Sequence, residues 1–209
     1  MQSRASTHTA LAPTLWSFAG NRVVQDVVLV LIGTAFIAIA AKIKVPFFPV
    51  PMTLQTLAIL LIGATYGFRL GTLTVLAYLA EGLVGLPVFT NTPPAIAGPL
   101  YLLGPTGGFL IGFVVMAAIV GYAADRGFDR SIPRLISAML VGEIVMMALG
   151  FAWLAWFAQL SSGATGLGIE KALAGGVTPF ILGDLLKLVL AALAVPAAWR
   201  LLRPLDGSE

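Results

Sequence analysis

Six apolar runs, separated by short polar or Pro- and Gly-rich stretches, set the pattern of the chain. They lie at 24–41, 52–68, 70–86, 107–123, 135–157 and 178–200. Each approaches the roughly 20 apolar residues that a helix needs to cross a ~30 Å hydrocarbon layer. Lys42 and Lys44 close the first run, and Arg69 divides the second from the third. From 82 to 124 there is no charged residue, too long a stretch for one helix across such a layer at ~1.5 Å per residue. Pro87, Pro93, Pro94, Pro99 and Pro105 break it, because proline removes a backbone donor and restricts the residue before it. The stretch therefore reads as a loop at 87–106 followed by the fourth span. The expectation is an all-α, polytopic membrane protein: one membrane domain over 1–209, a six-helix bundle at 22–203 and tails at 1–21 and 204–209.

Lysine and arginine orient these spans. With both termini cytoplasmic, the inner side holds eight cations: Arg4, Arg22, Arg69, Arg126, Arg130, Arg134, Arg200 and Arg203. The outer side holds three, Lys42, Lys44 and Lys171. That asymmetry fits the positive-inside rule. The outer connections, loops 1, 3 and 5, then fall at 42–51, 87–106 and 161–176. Two of them are long, apolar and rich in Pro and Gly. They read either as a lid over a site or as ordinary interfacial loops, since apolar and aromatic residues favour that zone.

Composition agrees. Of 209 residues, 59% are hydrophobic and 10% charged, against about 25% charged in soluble domains, and the mean hydropathy is +0.99. A net charge of +3, spread along the chain, makes no nucleic-acid footprint. There is no cysteine, hence no disulfide framework or thiolate metal site. The single histidine, His8, stands in the N-terminal tail. No P-loop, His-Glu-x-x-His or Gly-x-Ser-x-Gly pattern occurs, so neither an enzyme nor a resident cofactor or metal is expected.

Ionisable residues inside apolar spans are costly, and so mark candidate sites. There are four: Glu81, Glu143, Asp184 and Lys187. Asp184 and Lys187 are spaced i,i+3, which places them on one helical face. Counted from Thr178 they lie ~9 and ~14 Å along the last span. They read as an acceptor and a donor for a ligand, or as a pair that neutralises itself. Glu81 either snorkels outward or joins the same pocket. Glu143 reads as a packing group or a contact to another subunit. Gly104-Pro105-Thr106-Gly107-Gly108 opens the fourth span, with Gly112 four residues on; such small residues permit close helix approach, and a helix N-terminus also favours anions.

Four segments resemble the BioY family. They are Val45-Pro46-Phe47-Phe48-Pro49-Val50-Pro51-Met52-Thr53-Leu54-Gln55-Thr56, Gly85-Leu86-Pro87-Val88-Phe89, Leu103-Gly104-Pro105-Thr106-Gly107-Gly108-Phe109-Leu110-Ile111-Gly112-Phe113 and Gly183-Asp184-Leu185-Leu186-Lys187. The resemblance implies a biotin-binding S component of an energy-coupling factor (ECF) transporter in the bacterial inner membrane. It implies a transmembrane coupling protein and a pair of cytoplasmic ATPases as partners. It places Asp184 and Lys187 at the head group of biotin, whose ureido ring offers two N–H donors and a carbonyl acceptor. Asn91 and Tyr101 would then lie near the carboxylate, with Gln55 of the first-loop signature and Glu81 completing the candidate set. Some relatives carry Arg after the Gly-Gly-aromatic; here that position is Leu110. The small-residue docking motif of helix one is matched most nearly by Thr34-x-x-x-Ala38. An S component for another vitamin, and a self-sufficient homo-oligomeric carrier or channel, are the other readings.

Overall fold

The computed structural model describes Leu11 and residues 21–202. His8, Arg4, Arg203 and nearly all of both expected tails lie outside the described residues. Among the described residues, five helices are long and apolar enough to cross a membrane: α1 (Arg22–Lys42), α2 (Gln55–Leu83), α4 (Gly107–Ala124), α5 (Ile132–Trp156) and α7 (Ile181–Leu202). Two short helices, α3 (Pro99–Leu103) and α6 (Ile169–Gly176), sit within segments expected to be loops. The Pro-rich turn after α1 holds a minimal antiparallel pair, β1 (Lys44–Val45) with β2 (Met52–Thr53). A single 3-10 turn, Phe128–Arg130, joins α4 to α5.

The second and third apolar runs meet in one kinked helical element, α2. Straight, its 29 residues would extend about 43 Å. The element is not straight. Gly67, with φ 77° and ψ −176°, leaves helical geometry, a conformation open to glycine because it has no Cβ. The amide of Gln55 donates to the Tyr78 hydroxyl at 2.8 Å, although 23 helical residues would separate them by about 34 Å. Two arms of α2 therefore fold back on each other at Gly67, two residues before the expected divider Arg69. Asp125 Oδ2 accepts the Phe68 N–H at 3.0 Å and satisfies the donor that the break exposes.

The bundle is centred on α2 and α4, with α5 against α4 and α1 and α7 against α2. Its core includes Ile37, Ile59, Leu60, Met116, Val120, Met139, Leu154 and Leu188. Apolar residues also cover the outside: Leu31 and Ile39 on α1, Ile144 on α5, and Leu182, Leu186 and Leu190 on α7 are exposed. Such a surface calls for lipid rather than water as its solvent. Helix ends follow local chemistry. The Asn21 side chain caps α1 by accepting the Val23 N–H at 3.0 Å, as N-cap residues do. Pro133 stands in the first turn of α5, where its missing N–H costs nothing. The last span begins as a helix at Ile181 rather than at 178, so Asp184 lies only one turn inside it. There its charge also meets the favourable end of the helix dipole.

Candidate functional site

Where the loops meet the bundle, six pieces of chain converge on one partly open cavity with about 40 Å³ of free space. The hairpin contributes Val50, Pro51 and Thr53, and the start of α2 gives Gln55 and Thr56. The 87–106 loop gives Phe89, Thr90, Tyr101 and Thr106; α4 gives Phe109, Leu110 and Phe113; α5 gives Met146 and Met147. Phe180, just ahead of α7, and Asp184 close the ring. Gly107 and Gly108 make this convergence possible. A Cβ on Gly108 would stand 2.1 Å from Cβ of Trp153 on α5, so α4 and α5 approach as only glycine allows. Trp153 then donates its indole N–H to the Gly104 carbonyl at 2.9 Å, pinning the loop end.

One wall is charged. Asp184 and Lys187 are 2% and 6% exposed and form an ion pair at 2.7 Å. Asp184 lines the cavity, while Lys187 stands one turn behind it. Glu143 lies beside them on the far side of Asp184, in a second, apolar cleft between α5 and α7 that Asp184 also lines. Both Glu143 oxygens are shielded and close no hydrogen bond of normal geometry. Glu143 is thus buried within this chain, at 9% exposure.

The opposite wall is neutral and closely bonded. The Gln55 carbonyl accepts from Thr90 Oγ1 at 2.8 Å and from Thr53 Oγ1 at 3.3 Å. Its amide reaches Tyr78, whose hydroxyl donates to the Val88 carbonyl at 3.1 Å. Phe89 is fully buried and stacks on Tyr101, with ring centres 4.7 Å apart. Phe180 faces Phe109 at 6.2 Å and meets Phe47 edge-on at 6.3 Å. Burial pushes the Tyr101 phenol up from its ordinary value, against the opposing pull of Thr106 and the Asn91 backbone. Its oxygen is shielded without closing a hydrogen bond of good geometry.

The structure thus gathers Gln55, Tyr101 and Asp184 on one cavity, with Lys187 held against Asp184. Asn91 lies one step outward, in a shallow vestibule that shares Tyr101 and Thr106 with the cavity; its side chain accepts from Lys44 at 2.8 Å. Glu81 is half-buried and does not line the cavity. Thr34 is 3% exposed and donates back to the Leu31 carbonyl. As folded, its side chain is not presented to a docking partner, and Ala38 is half-buried. Sequence reasoning missed Thr90, Tyr78 and Thr106, since threonine and tyrosine in an apolar chain carry no charge to attract notice. The proline cluster flanking Thr90 was the available signal.

The sequence and the fold both match known proteins. The BioY family model matches residues 6–204. The biotin transporter BioY2 of Lactococcus lactis is 34% identical, over 83% of this chain and 89% of its own. The biotin transporter BioY of Thermotoga maritima is 37% identical, over 78% of this chain and 88% of its own. The crystal structure of the S-component for biotin from an ECF-type ABC transporter superposes with a TM-score of 0.71 at 27% identity, covering 88% of this chain and 95% of that one. The protein is a helical, multi-pass membrane protein, and by these matches it belongs to the BioY family.

Proposed function

We propose that this chain is the substrate-binding membrane subunit of a biotin uptake transporter and performs no enzymatic step. The observation that carries the reading is Asp184 on the cavity wall, buried and paired with Lys187 behind it, in a chain whose relatives are named biotin transporters. Asp184 accepts a ureido N–H of biotin. Lys187 donates to the ureido carbonyl with an N–H that the ion pair leaves over, since an ammonium has three donors. The fused rings lie against Phe109, Phe180 and Met146. The valerate chain runs outward, and its carboxylate meets the Tyr101 hydroxyl, Thr106 and Asn91. Leu110 is buried on the cavity wall, so the carboxylate is held by neutral donors at the mouth rather than by a cation at that position.

The same proposal covers the rest of the assembly. The chain forms one membrane domain of six crossings in the bacterial inner membrane, with both termini cytoplasmic. The folded-back arms of α2 supply two crossings, and the Lys/Arg asymmetry supports the orientation. An ECF module, a transmembrane coupling protein with two cytoplasmic ATPases, provides the energy. Likeness to an S-component of an ECF-type ABC transporter supports that partnership. The test is calorimetric titration of the detergent-purified chain. Biotin should bind without ATP, and desthiobiotin, which keeps the ureido ring, should compete. If another vitamin binds and biotin does not, the substrate assignment fails. ATP-driven accumulation by the chain alone in liposomes would overturn its role as a subunit.

A further inference from the structure

Lys42 ends α1 and shows in the sequence only as one of the cations that orient the spans. The structure gives its ammonium a specific set of partners. It donates to the backbone carbonyl of Pro87 at 2.7 Å, of Phe89 at 2.6 Å and of Thr92 at 2.5 Å. An ammonium has three N–H donors, so one loop takes all of them. The three carbonyls bracket Phe89 and Thr90, which line the cavity. The same loop is bonded from below by Thr90 to Gln55 and by Val88 to Tyr78. Lys44, two residues on, makes a looser attachment, 2.8 Å to Asn91 and 3.5 Å to the Thr90 carbonyl.

We propose that Lys42 is a positioning residue: its ammonium bolts the 87–92 segment down over the cavity and thereby sets how slowly substrate leaves. Charge-assisted hydrogen bonds are roughly twice as strong as neutral ones, and carbonyls brought together by the turn make a ready seat for a cation. Without the bolt the loop keeps its attachments from below but opens more often. Release should accelerate while capture changes little, because affinity differences within one interface reside mostly in the off-rate. The inference rests on the proposed biotin site, and two readouts separate them.

The first readout is amide hydrogen exchange across 87–92 in the ligand-free chain, which needs no substrate. Lys42→Met should deprotect this segment while the helices stay unchanged. Lys44→Met should do so less, and Lys42→Arg should restore part of the protection. The second is release of labelled biotin after an unlabelled chase. Lys42→Met should release on the order of tenfold faster, about one RT ln 10 step, with an association rate within a few-fold of the parent. Unchanged exchange, or parental release from Lys42→Met, would overturn the bolt. A parent chain that binds no biotin would instead overturn the substrate assignment, and exchange alone would then decide whether Lys42 holds the loop.

Discussion

The two walls of the cavity solve the same problem, polar groups in an apolar bundle, in different ways. On one wall Asp184 and Lys187 cancel each other's charge, one turn into α7. On the other, Gln55, Tyr78 and Thr90 share neutral hydrogen bonds that join both arms of α2 to the 87–106 loop. The Asp184–Lys187 pair lies within one turn of a single helix, with Glu143 of α5 beside it. The neutral wall connects three segments distant in sequence. A buried ion pair adds little stability over apolar packing, so a pair contained within one helical turn is accounted for by what it binds. The neutral wall is accounted for by the geometry it fixes. Charge on one side and framework on the other make a site whose affinity and fold respond to different substitutions.

The largest effect should come from Lys187→Met. It leaves the Asp184 carboxylate buried without its partner, at a cost of about 3–5 kcal/mol in stability, and should abolish measurable biotin binding. Thermal unfolding and titration check both. Asp184→Asn should fold and lose binding by about 1.5–3 kcal/mol, roughly tenfold to a hundredfold or more in affinity. A parental affinity would move the ligand's anchor off the charged wall. Tyr78→Phe acts on the framework. It removes two neutral hydrogen bonds, about 1–2 kcal/mol, and should lower the unfolding midpoint with less than about a fivefold change in affinity. If affinity fell as far as in Asp184→Asn, the division between walls would be wrong. The smallest effect belongs to Tyr101→Phe. Removing a shielded hydroxyl that closes no hydrogen bond of good geometry should leave the stability of the free chain nearly unchanged, and should weaken biotin by about 1 kcal/mol if the hydroxyl meets the carboxylate.

The same contrast explains what the sequence disclosed. Asp184 and Lys187 were conspicuous because a charge in an apolar run is costly and rare. Gln55 entered only through its place in a motif. Tyr78 and Thr90 passed unnoticed, because their partners lie 23 and 35 residues away and neither periodicity nor spacing encodes such a contact. The helices were legible from hydropathy to within a few residues, with two exceptions. Arg69 drew the break toward itself, while the backbone turns at Gly67, where a positive φ is available. The short helices α3 and α6 were hidden in loops whose Pro and Gly content argued against them. Glu81 resembled Asp184 in the sequence, yet only folding turns one toward the cavity and leaves the other beside it. Lys42 carried no chemical signal, because its partners are backbone carbonyls, which every residue has.

The central claim, that the charged pair exists for the ligand, is tested most directly by the double variant Asp184→Leu/Lys187→Met. It removes both charges together and leaves neither buried alone. Biotin titration of the folded double variant should show no binding, with an unfolding midpoint at or above that of the parent. A double variant that folds and binds biotin with parental affinity would show that the pair only neutralises itself and would contradict the account.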